Sequence, residues 1–201
     1  MKIVAPLNGL VLAGGRGSRL GRDKASLDYH GTSQARWLHG LLAPRCARTW
    51  VSVRDAAQAA EPSFSGLETL TDAARVVGPA AGLVAAFRLA PDAAWLLVAV
   101  DMPLLDAAAL ETLVASRDPR AVATGYQHAD GTAEPLCTIW EPAAADLLAA
   151  EGSPSLRRVL EGSNVRLLEP AESHWLKSVN TDADDGAVRA FLERRAGGRA
   201  G

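Results

Sequence analysis

Lysine is scarce in this chain. Of 21 basic residues only three are lysine (Lys2, Lys24 and Lys177) and 18 are arginine, while alanine occurs 39 times. GC-rich coding produces such a bias, so an arginine is weak information here and a lysine inside a motif is strong. Cysteine is rarer still. Cys46 and Cys137 have no neighbour at metal-ligand or redox spacing, so two incidental thiols of a cytosolic chain are expected rather than a disulfide. No hydrophobic run is long enough to cross a bilayer, the longest being residues 93–100. The first eight residues lack the apolar core and small-residue cleavage site of a signal peptide. A surplus of positive charge is missing too: 21 basic against 23 acidic residues leave a net charge of -2, with no field to hold DNA or RNA. The four histidines are scattered, the five tryptophans form no stacking stripe, and no Gly-x-Ser-x-Gly or Ser-His-Asp arrangement announces a covalent nucleophile. These absences predict a soluble cytoplasmic protein without nucleic-acid or membrane partners.

What remains is an ordinary globular composition. With 201 residues, 48% apolar and 22% charged, the chain can order as one domain, expected over residues 1–195 with a flexible tail at 196–201. Residues 9–13 are a continuous apolar run ending at Gly14-Gly15, the pattern of a strand buried on both faces of a parallel sheet. Further strands are expected at 49–53, 68–70, 95–100, 121–125, 133–140 and 165–168, and helices at 34–42, 79–89, 106–115, 142–150, 153–160 and 182–195. Pro79 suits a first helical turn, Asp106 and Ser153 suit N-caps, and the last helix is acidic at its start and basic at its end. Strands alternating with helices predict a mostly parallel sheet covered on both faces. Ligands bind such sheets at the carboxyl ends of the strands, so the residues just after each strand matter most.

The first strand runs into Leu12-Ala13-Gly14-Gly15-Arg16-Gly17-Ser18-Arg19-Leu20-Gly21-Arg22-Asp23-Lys24. Its four glycines let the backbone approach a ligand and present N–H groups to an anion, and Arg16, Arg19 and Lys24 add positive charge. The combination suits a polyphosphate. It is neither a Walker A loop, which needs Gly-Lys-Ser/Thr, nor a dinucleotide fingerprint, whose third glycine would precede Gly21 by one place. A flexible turn is the bland alternative, but such a turn rarely gathers three cations. Residues 95–100 run into Asp101-Met102-Pro103. A carboxylate at the end of a central strand either caps the turn or ligates Mg²⁺, which takes one or two carboxylates and leaves its other positions to water and phosphate. Between these features lie Asp72 and Gly78-Pro79-Ala80-Ala81-Gly82, a helix start whose free N–H groups could face a base or phosphate, or which simply packs closely at Gly82. Glu134, on an expected strand, could face the same site. Asn180-Thr181 precedes the last helix, where Thr181 serves equally as N-cap. Asp182, Asp184 and Asp185 suit the helix dipole better than a metal.

In this order, the motifs resemble those of MobA-like nucleotidyltransferases, the molybdenum cofactor guanylyltransferases and their relatives. The likeness rests on Leu12-Ala13-Gly14-Gly15 through Gly21-Arg22-Asp23-Lys24, on Gly78-Pro79-Ala80-Ala81-Gly82, on Asp101-Met102-Pro103, and on Pro135-Leu136 and Asn180-Thr181. It spans about residues 8–195. The resemblance implies a three-layer α/β/α Rossmann-like nucleotidyltransferase fold with a mostly parallel sheet. It implies Mg²⁺-dependent transfer of GMP from GTP, or of a nucleotidyl group from another NTP, to a molybdopterin-type phosphorylated acceptor, with release of pyrophosphate. Leu12, Ala13, Gly14, Gly15, Lys24, Ser52, Asp72 and Asp101 would bind the nucleotide, and Gly78, Pro79, Glu134 and Asn180 the substrate. Asp101 would hold Mg²⁺, and Lys24, Asp101 and Arg19 would be catalytic. Transient contact with molybdenum cofactor insertion proteins or target molybdoenzymes is implied as well. Gly17 stands where the family usually has Ser and Leu20 where it usually has Met, as in sugar-phosphate nucleotidyltransferases, and Ala80 stands where Leu is common. The rival functions are therefore cytidylyl transfer to molybdopterin, transfer to a sugar phosphate, and a non-catalytic nucleotide-binding module.

Overall fold

Two apolar runs meet at the centre of the protein. Leu7–Leu12 (β1) and Ala94–Ala99 (β4) pair in parallel, with Leu10 opposite Leu97 and Val11 opposite Val98. All six residues of β4 are buried, as a strand covered on both faces requires. The structure, a computed structural model, describes residues 4–14, 22–150 and 155–197. The other strands are Thr49–Val53 (β2), Thr69–Thr71 (β3), Ala123–Gln127 (β5), Ala133–Trp140 (β6) and Val165–Leu168 (β7). They form one sheet of order β3-β2-β1-β4-β6-β5-β7. Only β6 breaks the parallel pattern, running antiparallel to both β4 and β5.

Helices cover both faces, giving the three layers that the sequence resemblance implies. On one face, Gln34–Leu42 (α1) and Ala107–Ala115 (α4) bury Leu38, Leu42, Leu110 and Leu113 against Val11, Val51 and Val98. On the other, Ala80–Leu89 (α3), Ala144–Ala150 (α5) and Leu156–Glu161 (α6) bury Leu83, Leu148 and Leu160 against Leu10, Leu12 and Leu97. The odd–even split of Leu10, Val11 and Leu12 is the period-two alternation of a strand. Each fully buried Leu contributes about 1.5–3 kcal/mol of transfer free energy. The last helix, Asp182–Gly197 (α7), places Val188 on Leu27, Leu104 and Val179, above loops at the carboxyl end of the sheet. No helix among the described residues is long and apolar enough to cross a membrane.

Several boundaries differ from expectation. A short helix, Ala56–Ala59 (α2), was not expected; Asp55 caps it by accepting from the Gln58 N–H at 2.8 Å. β5 begins at Ala123, two residues later than expected. α6 begins at Leu156, with Ser155 as its N-cap; the expected cap, Ser153, lies outside the described residues. α7 continues through Ala196 and Gly197, and residues 198–201 of the expected tail lie outside the described ones. Asp106 does cap α4, accepting from the Ala109 N–H at 3.1 Å.

Candidate active site

A cavity of about 810 Å³ crosses the carboxyl ends of β3, β2, β1 and β4 and reaches β6. Leu12, Ala13 and Gly14 wall it at the end of β1, and Gly78 and Pro79 wall it at the start of α3. Close approach explains two glycines. A Cβ on Gly14 would strike the Asp72 carboxylate, and one on Gly82 would strike the Ser52 hydroxyl and come within 2.6 Å of Leu12 Cδ2. Ser52 is buried within β2, and its hydroxyl donates to Asp72 Oδ1. Asp72 itself is fixed at the end of β3, its N–H donating to the Val53 carbonyl at 2.8 Å. Burial raises the Asp72 pKa, while the Ser52 hydrogen bond and the Arg54 charge oppose the rise. One end of the cavity is therefore a hydroxyl–carboxylate pair held between small residues.

The other end is ionic. Lys24 lies in a short 3-10 turn capped by Asp23, whose Oδ1 accepts from the Ala25 N–H at 3.0 Å. Its Nζ donates to Asn180 Oδ1 at 2.7 Å and lies 3.5 Å from Asp101 Oδ2. Asp101 follows β4, and its carbonyl accepts from the Val179 N–H at 2.8 Å, tying the stretch before α7 to the strand end. The second carboxylate oxygen, Asp101 Oδ1, is buried without a hydrogen-bond partner. Burial pushes the Asp101 pKa up; the Lys24 ammonium opposes this and the Glu134 charge adds to it.

Asp101 lines the cavity, and a carboxylate with one orphaned oxygen suits a hard cation. Among the described residues no cluster of three or more His, Cys, Asp or Glu could hold a metal alone. Mg²⁺ would need no such cluster, since it takes few protein ligands and completes its shell with water and phosphate oxygens.

The structure gathers Leu12, Ala13, Gly14, Lys24, Ser52, Asp72, Gly78, Pro79 and Asp101 around this one cavity. Gly15 and Arg19 lie outside the described residues. Asn180 is not on the cavity wall and reaches the site through Lys24. Glu134, expected to face substrate, is not on the wall either. Its carboxylate is buried, with Oε1 accepting from the Leu136 N–H and Oε2 lying 2.9 Å from His128 Nε2. Thr181 is an N-cap: its Oγ1 accepts from the Asp184 N–H, and Asp184 Oδ2 accepts from the Thr181 N–H, a reciprocal capping box. Sequence reasoning missed Arg54 and the 73–77 loop, which also line the cavity. Arg54 is the first residue after β2, so the strand-end rule would have found it; the loop carries no motif.

A family model described as MobA-like NTP transferase domain matches residues 9–170. A molybdenum cofactor guanylyltransferase from Xanthomonas euvesicatoria is 35% identical, covering 96% of this chain and 98% of that protein. A molybdenum cofactor biosynthesis bifunctional protein from Synechocystis is 32% identical over 91% of this chain, which spans only 54% of that longer protein. Among solved structures, molybdopterin-guanine dinucleotide biosynthesis protein A from Archaeoglobus fulgidus is similar with a TM-score of 0.76 and 26% identity, over 93% of this chain and 99% of that one.

Proposed function

Because the chain belongs to the MobA-like NTP transferase domain family, we propose that it transfers GMP from GTP to molybdenum-loaded molybdopterin. A terminal phosphate oxygen of the acceptor attacks the α-phosphorus of GTP. The bond from the α-phosphorus to the bridging oxygen breaks, pyrophosphate leaves with that oxygen, and molybdopterin guanine dinucleotide forms. An ionised phosphate is already a nucleophile, so the chain's residues need only position the groups and stabilise charge. No general base is called for.

The Lys24 ammonium, held by Asn180 and Asp101, stabilises negative charge on the departing β- and γ-phosphates. Arg19 and Gly15 of the same loop are assigned to the triphosphate by resemblance alone. Asp72 and Ser52, at the far end of the cavity, bind the nucleoside, with Gly78 and Pro79 beside them. Asp101 would hold Mg²⁺, which when bound would neutralise charge on the phosphate oxygens. The reaction is assigned to the cytoplasm, with transient delivery to insertion proteins or target molybdoenzymes.

The observation that carries this reading is Asp101: partly buried just after β4, with one oxygen buried and unpartnered and the other beside Lys24. Pyrophosphate release tests it, with GTP, CTP and UTP offered in Mg²⁺ with and without molybdenum-loaded molybdopterin. Release is expected only with GTP and acceptor together. Preference for CTP would make the chain a cytidylyltransferase, and NTP binding without release under any condition would make it a binding module.

A further inference from the structure

β6 carries Pro135 in the interior of the sheet, where a residue without an N–H is tolerated only at a bulge or an edge. The register supplies the bulge. Thr138 pairs with Gly125, but Glu134 pairs with the very next residue, Tyr126, so residues 135–137 are looped out of the β5 ladder. Cys137 then returns opposite Val98 of β4.

Glu134 closes this loop at three points. Its carbonyl accepts from Thr138 Oγ1–H at 2.7 Å, its Oε1 accepts from the Leu136 N–H at 2.8 Å, and its Oε2 meets His128 Nε2 at 2.9 Å. The Glu134 side chain is buried, so its carboxylate depends on these partners in place of water. Leu136, the residue whose backbone it grips, lines the cavity. By strand order Leu136 walls the β6 end of the cavity, beside β4 and the Asp101 that follows it, while Asp72 stands across the sheet just after β3.

We propose that Glu134 is a positioning residue for the transfer step, clamping the β6 bulge so that Leu136 walls the reacting end of the cavity beside Asp101. The proposal rests on the nucleotidyl-transfer reading above. Its consequence is directional. Freeing the bulge disturbs the end where bonds change and leaves the Ser52–Asp72 end intact, so turnover falls while nucleotide affinity holds. A displacement near 1 Å at a reacting centre costs about 100-fold in rate; a side chain acting one residue away should cost about 10- to 100-fold.

The test uses the full chain with Glu134→Ala, Glu134→Gln and Leu136→Ala. Pyrophosphate release gives kcat, and calorimetric titration with GTP gives affinity and stoichiometry. Glu134→Ala should lose kcat by about 10- to 100-fold, with GTP affinity and full stoichiometry retained. Glu134→Gln should recover most of the loss, because its amide oxygen still accepts from the Leu136 N–H and its amide N–H still meets His128. Leu136→Ala should reproduce the loss seen with Glu134→Ala. The proposal is overturned by an unchanged kcat in Glu134→Ala or in Leu136→Ala. It is overturned equally by a Gln variant no better than Ala, by GTP affinity falling in step with kcat, or by lost stoichiometry, which would mark a fold defect. A wild type that released no pyrophosphate would refute the transfer reading first and this proposal with it, whereas variant effects on an active wild type bear on Glu134 alone.

Discussion

The nucleotide cavity and the surroundings of α7 use side chains in opposite ways. Across β3, β2 and β1 the cavity is walled mostly by small or apolar residues, among them Ala13, Gly14, Ala73, Val76 and Gly78. Under α7, by contrast, charges are matched to one another. Asp185 accepts from the Tyr29 hydroxyl at 2.6 Å and from Arg189 at 3.1 Å, with Arg22 3.5 Å away, and Lys177 lies 3.3 Å from Asp184. The Lys24–Asn180 hydrogen bond joins the two regions. The contrast separates two jobs: a polyanionic nucleotide needs room and close backbone approach, whereas closure of the C-terminal helix needs fixed partners. Substitutions in the first region should therefore change ligand handling, and those in the second should change stability.

The largest effect expected is from Asp101→Ala. On the scale of one preorganised electrostatic contact, about 3 kcal/mol, pyrophosphate release should slow by about 100-fold, with the melting temperature little changed. Wild-type turnover in this variant would erase the distinction at its centre.

Asp185→Ala should act in the opposite sense. It leaves the Tyr29 hydroxyl and Arg189 without their acceptor, and should lower unfolding free energy by about 2 kcal/mol in urea titrations. GTP affinity should stay the same; a large loss of affinity would mean that the two regions are not separable.

Gly14→Ala forces a methyl group into the Asp72 carboxylate. The carboxylate must turn away from Ser52, and losing about one hydrogen bond's worth of organisation should weaken GTP binding by about tenfold, measured by calorimetry.

The smallest effect is a pH dependence. Asp184 accepts from the Asn180 N–H and the Thr181 hydroxyl, with Lys177 and the Thr181 N–H adding to them, which together hold its pKa down at about 2, below the usual 3.8. A carboxylate lowered in the folded state stabilises the fold above its unfolded pKa and loses that contribution as pH falls through the folded value. Thermal melts should therefore show the cap contributing fully above about pH 5 and fading towards pH 2. Asp184→Asn should flatten that part of the profile, and an unchanged profile would remove the capping box from the account of α7.

Much of the local structure was legible because local chemistry sets it. The spacing of Trp37, Leu38, Leu41 and Leu42 places α1 at Gln34–Leu42, and the Asp106 cap places α4. The β2, β6 and β7 runs also stand where periodicity puts them. The site was legible for a different reason. Ligands gather at strand ends, which marks Gly14 and Asp101, whereas Ser52 and the nucleotide role of Asp72 came through the family resemblance. Glu134 escaped this logic. Its spacing says only that it lies on a strand, nothing in the sequence pairs it with His128, and Pro135 beside it signals a bulge or an edge without saying which.

By itself, then, the sequence determined most of the elements and the one lysine that an arginine-rich chain kept beside a glycine-rich loop, since each follows from neighbours a few residues apart. Only the tertiary structure decided the strand order, the antiparallel insertion of β6, and the meeting of Lys24, Asp101 and Asn180. Those depend on contacts between residues far apart in the chain. Such contacts are selected by how whole faces bury against one another, and no local pattern records them.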